Sequence, residues 1–183
     1  MSLIRQKVKF DKKLLDQDAL KILKKLNESG YESYLVGGCI RDILLGHKPK
    51  DFDIATSATP EQIHKLFKRS RIIGRRFKLV HIMFSARKFI EVATFRAGKV
   101  KTSSDGLVQR DNYYGTLEDD VFRRDFTVNG LYYDINKSEV IDYVGGLKDL
   151  EILKINMIGN PSERFEEDPV RMIRAVRFQA KLN

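Results

Sequence analysis

Asp51 and Asp53 flank Phe52 in the stretch KDFDIAT, which reads as a strand. Strand side chains alternate between faces, so the spacing predicts both carboxylates on one side and Phe52 on the other. Two carboxylates on one face suit Mg²⁺, which takes one or two of them and completes its shell with substrate phosphates. A pair of such ions about 3.5–4 Å apart can activate an attacking hydroxyl and stabilise a leaving pyrophosphate. An isolated D-x-D also fits a solvated strand edge, so its neighbours must decide. Upstream, Gly37 and Gly38 fall between an apolar strand and a short helix, and Arg41 follows one turn later. Bare backbone N–H groups at a helix N-terminus can receive anionic oxygens there, although such a Gly-Gly is elsewhere a plain turn. Glu91, in FIEVATFR, lies on a strand that could neighbour the Asp51 and Asp53 strand and add a third carboxylate; an exposed strand glutamate fits the same letters.

Further along, Arg123, Arg124 and Asp125 precede FTVNGLYYD. Two guanidiniums can grip phosphate or ribose, and a carboxylate can accept a hydrogen bond from a sugar hydroxyl. A surface salt bridge is the alternative. Glu167, Asp168 and Pro169 open the first turn of a last helix, with Arg171 and Arg174 spaced at i+3 after Asp168. Capping with a solvated basic face explains that pattern; so does presentation of Asp168 and Arg171 to the edge of a base.

The elements that must position these groups follow from periodicity and punctuation. Residues 14–29 place Leu15, Ala19, Ile22, Leu23 and Leu26 at helical spacing, with Gly30 as the stop. YESYLVGG reads as strand then glycine turn, and CIRDILLG as a short helix. Thr59 and Pro60 start a helix running through Phe67. RIIG, KLVHIMFS and FIEVATFR supply strand material for a hairpin sheet, and LYYDINKSEVIDYVGG reads as a hairpin turning at residues 136–138. The polar residues 97–112 are expected to form a loop, and residues 163–183 a single helix with Val170, Ile173, Val176 and Leu182 on one face. The sum is a mixed sheet with helices, followed by the first helix of something longer.

Composition limits the alternatives. The 183 residues hold 34 Lys and Arg against 25 Asp and Glu, a net charge of +9, with 42% hydrophobic residues, enough for one core. The sequence shows neither the ~20-residue apolar run of a membrane span nor a secretory leader. One cysteine, Cys39, forms no internal disulfide, and His47, His64 and His81 are too dispersed for a zinc cluster, so a reducing cytoplasm is expected. The surplus positive charge points to a polyanion such as nucleic acid. Oligomeric state is not legible.

Read together, LVGGCIRDILLG, KDFDIAT, EVATFR, RRDFTVNGLYY and EDPVRMIRAVRF resemble, in order, the head and neck of the class II tRNA nucleotidyltransferase and bacterial poly(A) polymerase family, within the DNA polymerase β superfamily. The resemblance implies an α+β fold: a polymerase β-like palm with a mixed or antiparallel sheet flanked by helices. It implies an N-terminal helical extension over 1–31, a head over 32–158 and the start of a helical neck over 159–183. It further implies that Asp51 and Asp53 bind two Mg²⁺, with Glu91 as third ligand, and that Gly37, Gly38 and Arg41 meet the phosphates of a nucleoside triphosphate. Asp125, with Arg123 and Arg124, is implied at the ribose; Asp168 and Arg171, with Arg174 nearby, are implied to select the base.

Two activities share this head. The run 72–82, IIGRRFKLVHI, resembles a stretch that marks the poly(A) branch, and QRDNYYGT and DYVGGLKDL fit the same branch. Residues 65–78 hold seven Lys or Arg, including Arg75, Arg76 and Lys78, and no acid, interleaved with Phe67 and Phe77. This favours an RNA or ATP contact over a merely solvated face. The expected function is template-independent transfer of AMP from ATP to an RNA 3′ end. CCA addition to tRNA is the alternative within the family, and a non-catalytic RNA- or nucleotide-binding module the alternative outside it.

Overall fold

The computed structural model of the protein describes residues 3–74, 77–97 and 114–182. Eight strands of the described residues form one mixed sheet in the order β1 (Ile4–Lys7), β8 (Glu139–Asp142), β7 (Leu131–Asp134), β2 (Ser33–Val36), β3 (Asp53–Thr56), β6 (Phe89–Thr94), β5 (Leu79–Met83) and β4 (Ser70–Ile73). Within it β3 and β6 run parallel, and the other neighbouring pairs are antiparallel. With the helices on its faces this is the expected α+β fold. No helix of the described residues is long and apolar enough to cross a membrane.

The larger core lies on one face of the sheet. There α1 (Gln17–Glu28), capped by the Asp16 side chain, buries Ala19, Ile22, Leu23 and Leu26. Beside it α2 (Gly38–Leu44) contributes Cys39, Ile40 and Ile43, and α3 (Pro60–Leu66) contributes Ile63. Leu35, Ile54, Val80 and Val92 meet them from the strands. On the opposite face α4 (Leu117–Phe122) presses Leu117 and Val121 against Val36, Ala55, Phe95 and Tyr132. Apolar surface is therefore withdrawn from water on both faces of the central strands, the strongest reason for this sheet to hold one register. The remaining helices are α5 (Gly146–Glu151), α6 (Pro161–Glu167) and α7 (Val170–Leu182).

Several sequence expectations need correction. The segment drawn as a helical extension over 1–31 also supplies β1, an edge strand paired to β8. The first paired residue of β3 is Asp53, so Asp51 precedes the strand and the alternation argument covers Asp53 alone. The helix expected over 163–183 is two helices. Asp168, held extended at φ −149° and ψ 93° ahead of Pro169, ends α6, because a residue before proline is pushed out of the helical region. Val170, Ile173 and Val176 are exposed, while α7 buries Phe178 and Leu182. Residues 98–112 of the expected loop, with most of QRDNYYGT, lie outside the described residues, as do Arg75 and Arg76.

Asp142, 1% exposed, shows how the end of the sheet is closed. Its carboxylate accepts from the backbone N–H groups of Val144, Gly145 and Leu147, at 2.8–2.9 Å. Gly145 sits at φ +81°, a left-handed conformation suited to glycine, so α5 can start at once. Asp142→Ala leaves three donors without an acceptor and is expected to lower unfolding free energy by about 2–4 kcal/mol, with Asp142→Asn costing less. Urea denaturation of both variants checks it.

Candidate active site

The strand registers place one row of side chains across the sheet. Val36 pairs with Asp53, Asp53 with Glu91, Glu91 with His81, and His81 with Arg71. Directly paired residues share a face, so Asp53 and Glu91 stand about 5 Å apart at their Cβ atoms. The crowding is visible in the acid chemistry. Burial, then Glu91 and Asp51, push the Asp53 carboxyl up to about 6, against the lowering effect of Arg124. Asp53 keeps surface open to solvent, so water screens part of this effect; the upward direction follows first from burial and then from the neighbouring acids. His81 Nε2 lies 3.0 Å from Glu91 Oε1, and its ring stacks on Phe89 with centroids 4.1 Å apart. Among the described residues no three such side chains close a metal shell by themselves. An open carboxylate set, with the Asp53 carboxyl pushed upward, fits a hard divalent cation that takes its remaining oxygens from substrate and water.

A cavity of about 770 Å³ opens beside this row, on the β2 side of β3. Gly37, Gly38, Asp51, Asp53, Arg124 and Arg174 are among its lining residues. Gly37 adopts φ +75° and ψ −129°, and a Cβ there would face the Arg124 guanidinium at 3.6 Å. Arg41, 3% exposed, lines the cavity with its guanidinium already engaged. Nε and Nη2 donate to Asp42 Oδ1 at 3.1 and 2.8 Å, and Nη1 donates to Asn129 Oδ1 at 2.6 Å. Asp125 Oδ1 accepts from the Phe126 N–H and from Asn129 Nδ2, and Oδ2 accepts from Arg174 Nε at 2.7 Å. Lys181 Nζ donates to both Asp42 oxygens. Burial works against the Asp42 charge, but Lys181 and Arg41 outweigh it and hold its carboxyl below the usual range. A polar circuit thus leaves α7 at Arg174, passes through Asp125, Asn129, Arg41 and Asp42, and returns to α7 at Lys181.

The paired arginines converge on a residue that sequence reasoning missed. Asp120, 1% exposed, accepts from Arg123 Nε at 2.7 Å and Arg124 Nη2 at 3.0 Å. Arg124 Nε donates to the Tyr132 hydroxyl, which itself donates to Asp120. Arg96 adds a third cation: its guanidinium lies over Phe77 at 5.0 Å, and burial and Arg123 lower its pKa to about 10. Helical i,i+3 and i,i+4 spacing from Asp120 to Arg123 and Arg124 was the signal available in the sequence.

The structure brings Asp51, Asp53, Glu91, Gly37, Gly38, Arg41, Arg124, Asp125 and Arg174 to one region. It does not bring Asp168 and Arg171 to the cavity. Asp168 Oδ1 accepts from the Val170 N–H, and Arg171 folds back onto the Arg164 carbonyl and Glu167. Lys78 pairs with Glu61 at 2.9 Å.

Residues 33–156 match a family model described as the poly A polymerase head domain. The chain belongs to that family. It is 52% identical over 188 residues to Poly(A) polymerase I of Salmonella typhi, covering 98% of this chain and 40% of that protein. It is 40% identical over 164 residues to the CCA-adding enzyme of Bacillus pumilus, covering 90% of this chain and 40% of that protein. Among solved structures, the Bacillus stearothermophilus CCA-adding enzyme in complex with CTP superposes with a TM-score of 0.73 at 38% identity, over 88% of this chain and 38% of that one. The chain thus spans about two fifths of the length of these relatives. The family and its head fold are those that the ordered motifs implied.

A carboxyl whose folded pKa exceeds its unfolded value contributes stability below the unfolded pKa, about 3.9, and loses it as pH rises through the folded value. For Asp53 the metal-free chain is therefore expected to lose stability between about pH 4 and 7. In EDTA at pH 7.5, Asp53→Asn is expected to be more stable than the unaltered chain, on the order of 1 kcal/mol after screening. Added MgCl₂ raises the midpoint of the unaltered chain and leaves that of the variant in place. Calorimetric melts across pH and Mg²⁺ concentration check both.

Proposed function

We propose that this chain carries the catalytic head of a template-independent nucleotidyltransferase that transfers AMP from ATP to the 3′ end of RNA. Residues 32–158 form the head, and 159–183 begin a helical neck. The observation that carries this reading is 52% identity over nearly the whole chain to Poly(A) polymerase I, against 40% to CCA-adding enzymes. Relatives crystallised with ATP and with tRNA support a nucleotide and an RNA as the two substrates.

Asp51 and Asp53, with Glu91 opposite, would hold two Mg²⁺ ions. Those ions, when bound, neutralise charge at the reacting phosphate and stabilise leaving pyrophosphate. The triphosphate belongs in the cavity on the Gly37 side, where close backbone approach at Gly37 and Gly38 and the Arg124 guanidinium receive its oxygens. Arg41 acts from beneath: Asp42 and Asn129 hold its charge in the cavity wall and fix its direction. Asp125 contacts the ribose by sharing a carboxylate already oriented by Asn129 and Arg174. With no template strand, side chains must distinguish the base, and Asp168 and Arg171 perform this once Arg171 leaves Glu167.

ATP alone, with Mg²⁺ and an oligoadenylate acceptor, is expected to give repeated addition. Incorporation confined to CTP followed by ATP on tRNA ends would assign the CCA reaction instead. Asp53→Ala is expected to abolish incorporation while circular dichroism stays native-like and the metal-free melting midpoint is not lowered. Arg171→Ala is expected to reduce the preference for ATP over CTP; an unchanged ratio gives that residue a purely structural role.

A further inference from the structure

A second cavity, of about 570 Å³, shares Lys50, Asp51 and Asp53 with the first and lies on the other side of them. Its remaining wall comes from Asp16, Phe52 and the segment from Arg87 to Glu91. Sheet order fixes the arrangement: the glycine-lined cavity lies toward β2 and this one toward β6, with β3 between. Phosphoryl transfer places the attacking oxygen and the leaving group roughly in line, on opposite sides of the phosphorus. A triphosphate seated on the Gly37 side therefore requires its attacker to arrive from the β6 side.

The chemistry of the second cavity suits one such visitor. Phe89, 45% exposed, stacks on His81 on one side and turns its remaining surface to the cavity. The turn that carries Arg87 is fixed. Ser85 Oγ accepts from the Arg87 and Lys88 N–H groups, and Lys88 Nζ pairs with Asp16, the cap of α1, and with Asp18 in its first turn, each at 2.8 Å. Lys88 is thereby committed to the protein, whereas Arg87 and Lys50 have no acidic partner among the described residues and line the cavity. An aromatic face beside two cations, opening onto a metal-binding acid pair, is the combination that holds single-stranded nucleic acid by stacking and phosphate contact.

We propose that this cavity is the subsite for the 3′-terminal nucleotide of the RNA acceptor, with the base stacked on Phe89 and the preceding phosphate held by Arg87 and Lys50. The assignment rests on the transferase reading above and adds where the acceptor lies. His81 serves as a positioning residue, backing the Phe89 ring while it engages Glu91, so the stacking platform and the third carboxylate move as one unit.

The test uses the unaltered chain, Phe89→Leu, Arg87→Ala and, on the far face of the sheet, Lys24→Ala. Fluorescence anisotropy with a labelled oligoadenylate ending in a 3′-deoxy nucleotide measures RNA affinity, and a fluorescent ATP analogue measures nucleotide affinity. Phe89→Leu and Arg87→Ala are each expected to raise the RNA Kd about tenfold, in the range of a lost stack or phosphate contact. Nucleotide affinity should stay within about twofold of the unaltered chain, as should RNA affinity of Lys24→Ala, which removes the same charge elsewhere. Ultraviolet crosslinking of an RNA ending in 4-thiouridine is expected to label the peptide containing Arg87 and Phe89. RNA binding that both substitutions leave unmoved, or crosslinks confined to other segments, overturns the subsite and leaves the transferase reading in place. Absence of any RNA binding by the unaltered chain overturns the acceptor reading, and the subsite with it.

Discussion

Asp53 is held beside Glu91 where the parallel pair β3 and β6 begins, with Asp51 just ahead of it, and burial together with these two acids works against the Asp53 charge. Arg124 is the cation that acts on Asp53, and it is itself bound to Asp120 and Tyr132. Asp53 and Glu91 cannot separate, because the paired strands that carry them are pinned by packed cores on both faces. The fold thus holds the Asp53 charge at some cost to its own stability, a cost that a divalent cation at the proposed site would relieve. Pre-organised charge of this kind is effective in catalysis because no reorganisation is needed when the substrate arrives.

Around that centre the other charges are kept from collapsing onto the acids. Arg123 and Arg124 share Asp120, Arg41 is shared by Asp42 and Asn129, and Arg174 is held by Asp125. Arg41, Arg124 and Arg174 keep their charge at the cavity yet point in directions set by their neighbours. The circuit through Arg174, Asp125, Asn129, Arg41, Asp42 and Lys181 also docks α7 by polar contacts at two points about two turns apart. Phe178 lies between those points and packs against Phe126 in a T-shaped contact at 5.7 Å. A hydrogen-bonded ring around an aromatic anchor fixes the orientation of the helix more closely than either would alone.

Much of this frame was legible because it is local. The Asp16 cap, the Thr59 start of α3, the apolar run of β2 and the alternating apolar residues of β5 and β6 all act within a few positions of themselves. The motif order pointed to the family that the head-domain match shows. What stayed hidden depends on distant partners. Asp42 reads as one more polar helix residue until Lys181 arrives from 139 positions away. Strand β1 is short and exposed along its length, so periodicity gives no sign of it without β8 as a template. Asp120 carried a local signal, and α4 opens with a Thr116 and Asp119 capping box; both were passed over because they follow a long polar stretch. The break at Pro169 was also visible in the letters, but the i+3 spacing from Asp168 to Arg171 and Arg174 across it read as one continuous helix.

The central claim is spatial: the acid pair divides a nucleotide cavity on the Gly37 side from an acceptor cavity on the Phe89 side. The most direct measurement is a crystal structure of the chain soaked with Mn²⁺ and a non-hydrolysable ATP analogue, with anomalous scattering locating the metal. The account predicts Mn²⁺ within about 2.0–2.3 Å of Asp51 and Asp53 carboxylate oxygens, with the triphosphate lying along Gly37 and Gly38. A triphosphate seated against Phe89 and Arg87, or metal bound away from Asp53, would contradict it.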